Sequence, residues 1–479
     1  MENLIGRESE IQILTDALQS NQAELIAVYG RRRVGKTYLI RQFYASQMLF
    51  EFTGMKESSL NAQLENFALT ISTYLKLETE IATPNSWLQA FHTLIRLLEK
   101  RLSTEKQVIF LDEFPWIGTP RSNFLAAFDH FWNTWASKQN NLVIVVCGSA
   151  ASWMIQNIVS NKGGLHNRIT RRIRLLPFSL YETKMFLQHQ KVLLDNYQLL
   201  QLYMTTGGIP HYLKEVKVGE SATQAIDRLC FTNDGILRDE FKNLYVALFD
   251  KADKHIGIVK ALANKRSGMN RNEIMEACKL NSGGSLTKLL EELLESGFIL
   301  GYVPFNKTTK DTIYKLSDEY SIFYLKFIEN SKAAGAGTWQ SKAAGASYLS
   351  WSGLAFENIC LKHIPLIKKK LGISGIYTEQ SIWRFSPKDK SSGTQIDLLI
   401  DRQDNCINLC EIKFSIHPFT IDKKYSETLI AKKMIFLEQN ASKKSVFITL
   451  ISTFGTKINE HYTNTVQNQI TMDALFEKE

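Results

Sequence analysis

Hydrophobic positions along this chain fall into blocks with different periods. Residues 24–29, Glu-Leu-Ile-Ala-Val-Tyr, residues 107–111, Gln-Val-Ile-Phe-Leu, and residues 141–147 are short, almost unbroken apolar runs. That is the pattern of strands covered on both faces. Tyr38 to Tyr44 instead has the spacing of an amphipathic helix. Further on, residues 255–265, 272–279 and 285–296 read as three helices. The last carries Leu286, Leu289, Leu290, Leu293 and Leu294 at helical spacing and stops at Gly297. Phe298 to Val303 and Thr312 to Leu316 read as two strands around a polar loop, 306–311. Three helices followed by a hairpin predict a winged helix-turn-helix. Near the carboxy terminus, residues 351–361 predict a helix, and residues 395–400 and 407–414 predict two strands.

The chain has 479 residues, which suggests about three domains. Hydrophobic residues make up 44% and charged residues 22%, which excludes a largely disordered protein. No apolar run is long enough to cross a bilayer. The start, Met-Glu-Asn-Leu-Ile-Gly-Arg-Glu, lacks an apolar signal core, so secretion is not expected. Six scattered cysteines do not form a disulfide framework. Cys406 and Cys410 are closest and sit in a strand-like stretch, which predicts buried free thiols and a cytoplasmic location. The net charge of +9 favours an anionic partner. The basic residues form small groups, Arg31 to Arg33, Arg168 to Arg174 and Lys368 to Lys370 among them, with no basic tail.

Gly30-Arg31-Arg32-Arg33-Val34-Gly35-Lys36-Thr37 fits GxxxxGK[ST] between a predicted strand and a predicted helix. Glycines let backbone N–H groups curl around phosphate oxygens, and the helix amino terminus adds a favourable dipole. A nucleotide and Mg²⁺ are therefore the expected cofactors. Lys36 is expected at the β- and γ-phosphates and Thr37 on the metal. The strand at 107–111 ends in Asp112-Glu113. Asp112 is expected to hold the Mg²⁺ shell and Glu113 to polarise the attacking water. Ser149, at the tip of the third strand, is a candidate γ-phosphate sensor or a helix N-cap. Arg168 is the candidate arginine finger or sensor, with the other arginines of the group read as surface charge. Arg172-Ile173-Arg174-Leu175 fits a strand with one solvated face.

Gly6-Arg7-Glu8-x-Glu10, the P-loop, Leu111-Asp112-Glu113-Phe114 and Gly207-Gly208-Ile209-Pro210-His211-Tyr212 occur in this order. Together they resemble the archaeal-type prokaryotic P-loop ATPases, relatives of the AAA+ and signal-transduction ATPases. The resemblance covers roughly residues 1–240. It implies a doubly wound α/β sheet with an additional strand, a helical lid and Glu113 as the catalytic glutamate. It also implies that the nucleotide is ATP, that residues 4–7 lie near adenine and that the Gly-Gly-x-Pro segment ends the ATPase module.

The third winged-helix helix offers Thr287 and Lys288 beside Glu291, Glu292 and Glu295. Three glutamates repel phosphate, so packing or regulation is favoured over DNA reading by this helix. Ser-Lys-Ala-Ala-Gly-Ala occurs at 331–336 and again at 341–346, and reads as a small-residue linker or a short duplication.

In the carboxy-terminal segment Asp397 lies near the start of one strand, and Glu411 and Lys413 lie on the next. Glu411 and Lys413 are two apart and share a face. Asp397 and Glu411 are candidate Mg²⁺ ligands, with Lys413 to position or activate a water and Glu357 to extend the metal site from its helix. That arrangement suits phosphodiester hydrolysis. It resembles the PD-(D/E)xK restriction-endonuclease-like superfamily, with Ile396 in place of the proline.

The expected architecture is α/β: a P-loop ATPase domain (1–180) with a helical lid (181–248), a winged helix-turn-helix (249–328) and a restriction-endonuclease-like α/β domain (347–479). The expected function is ATP binding and hydrolysis coupled to a metal-dependent nuclease-like domain acting on DNA. The alternative is a nucleotide-dependent switch or scaffold without cleavage. DNA is the expected partner, a protein partner or a homo-oligomer is compatible, and no membrane is involved.

Overall fold

The computed structural model describes residues 4–119, 121–159, 165, 167–249, 252–280, 283–331, 335–385 and 393–479. It divides into two compact units. The first holds Met1–Pro177 with Ala247–Asp250 and Glu291–Gly297, and the second holds the remainder. Among the described residues no helix is long and apolar enough to cross a membrane.

The first unit is built on five parallel strands: β1 (Glu24–Tyr29), β2 (Met48–Thr53), β3 (Gln107–Asp112), β4 (Leu142–Gly148) and β5 (Arg171–Arg174). Their order is β2-β3-β4-β1-β5. β4 therefore stands between the strand that feeds the P-loop and the strand that ends in Asp112. This is the additional strand that the resemblance implied. All six residues of β1 and all seven of β4 are buried, as their unbroken apolar runs require.

An aromatic core covers one face of the sheet. Phe67, Trp87, Phe91, Phe114, Phe124, Phe128 and Phe131 are all at most 2% exposed, and each contributes roughly 1.5–3 kcal/mol by its burial. Phe114 packs edge-on against Phe124 and Phe128 at 4.9 and 5.0 Å. It directly follows Glu113, so core packing fixes the turn that presents the glutamate.

β5 is exposed at Arg172 and Arg174 and buried at Ile173, the half-solvated strand that its alternation predicts. Arg174 does more than solvate a surface. Its guanidinium donates to the carbonyls of Leu294 and Glu295 at 2.7 and 3.0 Å and pairs with the Glu295 carboxylate. It thus caps the end of the helix Gly284–Glu295.

The second unit opens with helices Leu180–His189, Asn196–Thr206, Pro210–Leu213 and Ala222–Phe231. The buried His363 imidazole ties the first of these to the later chain. Its Nδ1 meets the Ile359 carbonyl at 2.8 Å, and its Nε2 accepts from Leu180 N–H at 3.3 Å. Next come helices Ala252–Asn264, Arg271–Ala277 and the start of Gly284–Glu295, whose end belongs to the first unit, with strands β6 (Met269–Asn270), β7 (Ile299–Tyr302) and β8 (Ile313–Leu316) in the order β6-β8-β7. The helices and the hairpin lie within a few residues of the positions that the hydrophobic spacing predicts.

The linker expectation at 331–346 is corrected in its second copy, while residues 332–334 of the first copy lie outside the described residues. Residues 341–343 end the helix Thr338–Ala343, Ala344 and Gly345 cap the two helices, and Ala346 starts the helix Ala346–Lys362. Alanine and lysine are good helix formers. Trp339, Tyr348 and Trp351 on either side are buried together with Phe323 and Phe327. The Asp227 carboxylate accepts from the N–H groups of Gly337 and Trp339 and so fixes the turn ahead of the copy.

The last sheet contains β9 (Thr378–Phe385), β10 (Thr394–Arg402), β11 (Cys406–Lys413), β12 (Ser445–Ser452) and β13 (Asn468–Thr471), in the order β13-β12-β11-β10-β9. β9, β10 and β11 pair antiparallel, while β11, β12 and β13 pair parallel. The helix Lys423–Asn440 connects β11 to β12. Cys406 and Cys410 are free thiols, the second fully buried.

Candidate functional site

Residues 30–37 leave β1 and enter the helix Lys36–Phe43. Gly30 has φ +149°, and any side chain there would run into the Leu175 carbonyl. Gly35 has φ +94° and starts the helix. The Lys36 side chain is buried, and its ammonium donates to the carbonyls of Gly30 and Arg31 at 3.0 and 2.9 Å. Burial pushes its pKa down, against the nearby Asp112 and Glu113. Thr37 is one residue on, and its hydroxyl donates to Asp112 Oδ2 at 2.8 Å. Arg31 is buried and Arg32 and Val34 lie within the same turn. Arg33 adopts φ +72°.

Arg7 is a component whose role the sequence did not reveal, although its motif was visible. It adopts φ 63°, and its guanidinium donates to Leu176 O at 2.7 Å and Val34 O at 3.1 Å. A single side chain therefore holds the P-loop and the segment after β5 together. The only available signal was Gly6-Arg7-Glu8, since the two carbonyls it binds are 27 and 169 residues away.

β3 delivers Asp112 and Glu113. Glu113 adopts φ 45°, a conformation that costs a non-glycine residue about 1–3 kcal/mol and clusters at functional sites. Its carboxylate accepts from the Ser149 hydroxyl at 2.6 Å and from Ser149 N–H at 3.2 Å. Gly148 makes this approach feasible: a Cβ there would stand 2.6 Å from Pro115 Cδ. Two residues distant in sequence, Glu113 and Ser149, thus meet beside Asp112 and Thr37. Cys147, the last side chain before this turn, is fully buried, and burial pushes its thiol up. Arg168 is exposed. Arg171 pairs with the buried Glu24 at 3.3 Å.

A second cluster lies in the second unit. Asp397 Oδ2 accepts from Ile412 N–H at 3.0 Å, one step beyond the Leu398–Cys410 pair of β10 and β11. The neighbouring Glu411 is buried, and its carboxylate accepts from Lys432 at 2.6 Å and lies 3.6 Å from Lys413. The Tyr425 hydroxyl is 3.5 Å from the same carboxylate. Lys413 also sits 5.5 Å from the Tyr425 ring centre. Glu357 pairs with Lys315 of β8. Burial pushes the carboxyls of Glu357 and Glu411 up, and Asp397 pushes both further. The lysines oppose the rise. Sequence reasoning found Asp397, Glu411, Lys413 and Glu357 but missed Lys432, Tyr425 and Lys315. Among the described residues no three His, Cys, Asp or Glu side chains converge as a metal ion would need.

Residues 4–216 match a family described as an ATPase domain predominantly from Archaea. An uncharacterised protein of Methanocaldococcus jannaschii is 23% identical over 441 residues, which is 91% of this chain and 93% of that protein. An uncharacterised ATP-binding protein of the same organism is 42% identical over 45 residues, 9% of this chain and 76% of that protein. Among solved structures, the Walker-type ATPase of Pyrococcus abyssi is 18% identical, with a TM-score of 0.49 covering 68% of this chain and 96% of that one. The ORC2 protein of Aeropyrum pernix is 15% identical, with a TM-score of 0.41 covering 72% and 98%. The family match rests on the segment that carries the P-loop, Asp112 and Glu113, so residues 4–216 of this chain are similar to an ATPase domain found predominantly in Archaea.

Proposed function

We propose that the protein hydrolyses ATP at the P-loop and couples that cycle to a metal-dependent, nuclease-like domain acting on DNA. The observation that carries the ATPase half is the meeting of Lys36, Thr37, Asp112, Glu113 and Ser149 at the ends of β1, β3 and β4. The Thr37 hydroxyl and Asp112 carboxylate, 2.8 Å apart, are hard oxygen donors of the kind Mg²⁺ takes, and these two residues would hold it. The bound metal would offset phosphate charge. Lys36 would exchange the Gly30 and Arg31 carbonyls for phosphate oxygens. Glu113 would orient the attacking water and take its proton, which requires a carboxylate oxygen to leave Ser149. Arg168, exposed on its loop, is the finger candidate.

The nuclease half rests on a different set of residues. What favours it is Asp397 beside Glu411 and Lys413 in a mixed sheet, with Glu357 on the helix Ala346–Lys362 and Lys432 on the helix Lys423–Asn440. Asp397 and Glu411 would hold Mg²⁺, with Glu357 behind them. Three helices and the β7–β8 hairpin support the winged-helix reading of the middle segment.

One observation favours the second reading, a switch or scaffold that does not cleave. Glu411 and Glu357 are already paired with lysines, so the acidic groups are neutralised from within the chain.

Incubation of supercoiled and linear DNA with Mg²⁺ or Mn²⁺, with and without ATP, distinguishes the two. Cleavage by the wild type that disappears in Asp397→Ala, with ATP turnover intact, is the expected result. Cleavage that persists in the variant, free of contaminating nuclease, overturns the assignment of Asp397. No cleavage by the wild type in any condition turns the conclusion to the switch.

A further inference from the structure

The second unit contains a groove of about 660 Å³ that neither site uses. That size lies within the range of about 300–1,000 Å³ typical of ligand sites. Its walls come from four places: the start of the helix Arg271–Ala277, the loop between β7 and β8, the strand β9, and the end of the helix Lys423–Asn440. β9 is the terminal strand of its sheet. Two contacts fasten the β7–β8 loop across the groove. Phe305 N–H donates to Ile382 O at 3.2 Å, and the Asn306 side-chain amide donates to Asn440 Oδ1 at 3.3 Å.

The lining is electrostatically one-sided. Arg271, Lys307, Lys310 and Arg384 face a single carboxylate, Asp311. Asp311 is itself committed to the N–H and hydroxyl of Thr308. Lys307, Lys310 and Arg384 are exposed and make no ion pair among the described residues. Such an excess is costly to hold together without an anion. The cations come from three different chain segments, so they suit an extended polyanion better than one small anion held at a point.

The groove also carries ring faces. Phe385 is half-buried and lies parallel to Trp383, with ring centres 6.3 Å apart and planes 11° apart. Phe305 is half-buried against Phe436 at 5.6 Å. Both rings are held by buried neighbours and offer their remaining surface to the groove. Flat, sequence-tolerant ring faces beside spaced cations are what an unpaired strand uses, with bases on the rings and phosphates on the cations. A closed duplex has no free base faces to stack there. Arg384 also lies within electrostatic reach of Glu357, of Glu273 on the helix Arg271–Ala277, and of Asp397, which joins the groove to the carboxylate cluster.

We propose that this groove binds a single nucleic-acid strand, with Lys307, Lys310 and Arg384 on its phosphates and Phe305 and Phe385 under its bases, and leads it toward Asp397 and Glu411. This rests on the nucleic-acid-directed reading above and names the part of the chain that holds the substrate.

Fluorescence anisotropy of a labelled oligothymidylate tests it. The full chain is titrated in Ca²⁺ or EDTA, so that no cleavage interferes, beside a mixed-sequence duplex. Lys307→Ala/Lys310→Ala changes two exposed loop residues, and unchanged ATP turnover confirms that the protein is folded. The double variant is expected to bind the strand about tenfold more weakly. Its salt dependence on a log–log plot should be shallower by about 1.4, from two contacts at about 0.7 each. Phe385→Ala is expected to weaken binding by about fivefold or more with the salt slope unchanged. Wild-type affinity and slope in both variants overturn the groove while leaving the nuclease reading in place. A duplex bound more tightly than the strand also overturns it. If the wild type binds neither nucleic acid, both the groove and the DNA-directed function fall.

Discussion

The P-loop and the carboxylate cluster are both buried polar sites at strand ends, yet they balance charge in opposite ways. At the P-loop the buried Lys36 ammonium is held by two carbonyls, and among the described residues no carboxylate lies within ion-pair distance. A buried cation without an anion is unfavourable, and its depressed pKa reflects that cost. An arriving phosphate relieves it. In the cluster around Glu411 the chain supplies its own counter-ions, Lys432, Lys413 and Lys315. There an incoming metal must compete with lysines already in place. The first site is built to receive an anion, whereas the second must surrender a contact before it can bind anything.

The strongest test of this contrast is Lys36→Ala. Loss of the buried ammonium that the Gly30 and Arg31 carbonyls hold is expected to reduce ATP turnover to background and abolish nucleotide retention, measured by phosphate release and by nucleotide content of the purified protein. Turnover within tenfold of wild type would mean that the P-loop is not organised around Lys36. Glu113→Gln comes next. The amide oxygen can still accept from Ser149, but the group no longer takes a proton. Turnover is expected to fall by about 10²–10⁴, the range of a lost general base, while ATP binding persists. Equal loss of binding would show that Glu113 supports the loop and not the chemistry.

How far the sequence disclosed these sites follows from how local their parts are. The P-loop is contiguous, so Gly30 to Thr37 could be read as one unit. β1 and β4 are buried throughout and β3 is buried from Val108 on, and their apolar runs located them to within a residue or so. Arg7 is different. Its motif was visible, but what it clamps depends on where β5 ends, which no local pattern specifies. The same holds for Lys432 and Lys315, which reach Glu411 and Glu357 from 21 and 42 residues away. Lys432 sits on the helix Lys423–Asn440, and no local pattern there points to a carboxylate on β11. The repeat at 341–346 misled for a related reason. Its small residues suggested a linker, but the buried tryptophans on either side decided the structure. Arg174 looked like surface charge until the end of a helix from elsewhere in the chain came to meet it.

Lys432→Ala tests the second half of the contrast and is expected to have the smallest effect. The change leaves the buried Glu411 carboxylate without its shortest ion pair. Removing one partner of a buried pair costs about 3–5 kcal/mol. Lys432 is about one-fifth exposed and Lys413 remains nearby, so a loss of about 2 kcal/mol is expected. Thermal unfolding of the full chain measures it. The informative comparison is the same melt with Mg²⁺ or Mn²⁺. If Asp397 and Glu411 take a metal in competition with Lys432, the variant should bind the cation more tightly than the wild type and recover more of its melting temperature. A cation that stabilises variant and wild type equally would show that Lys432 does not guard a metal site. The carboxylates around Glu411 would then be a closed, self-neutralised part of the fold, and the contrast with the P-loop would become one between a working site and a structural one.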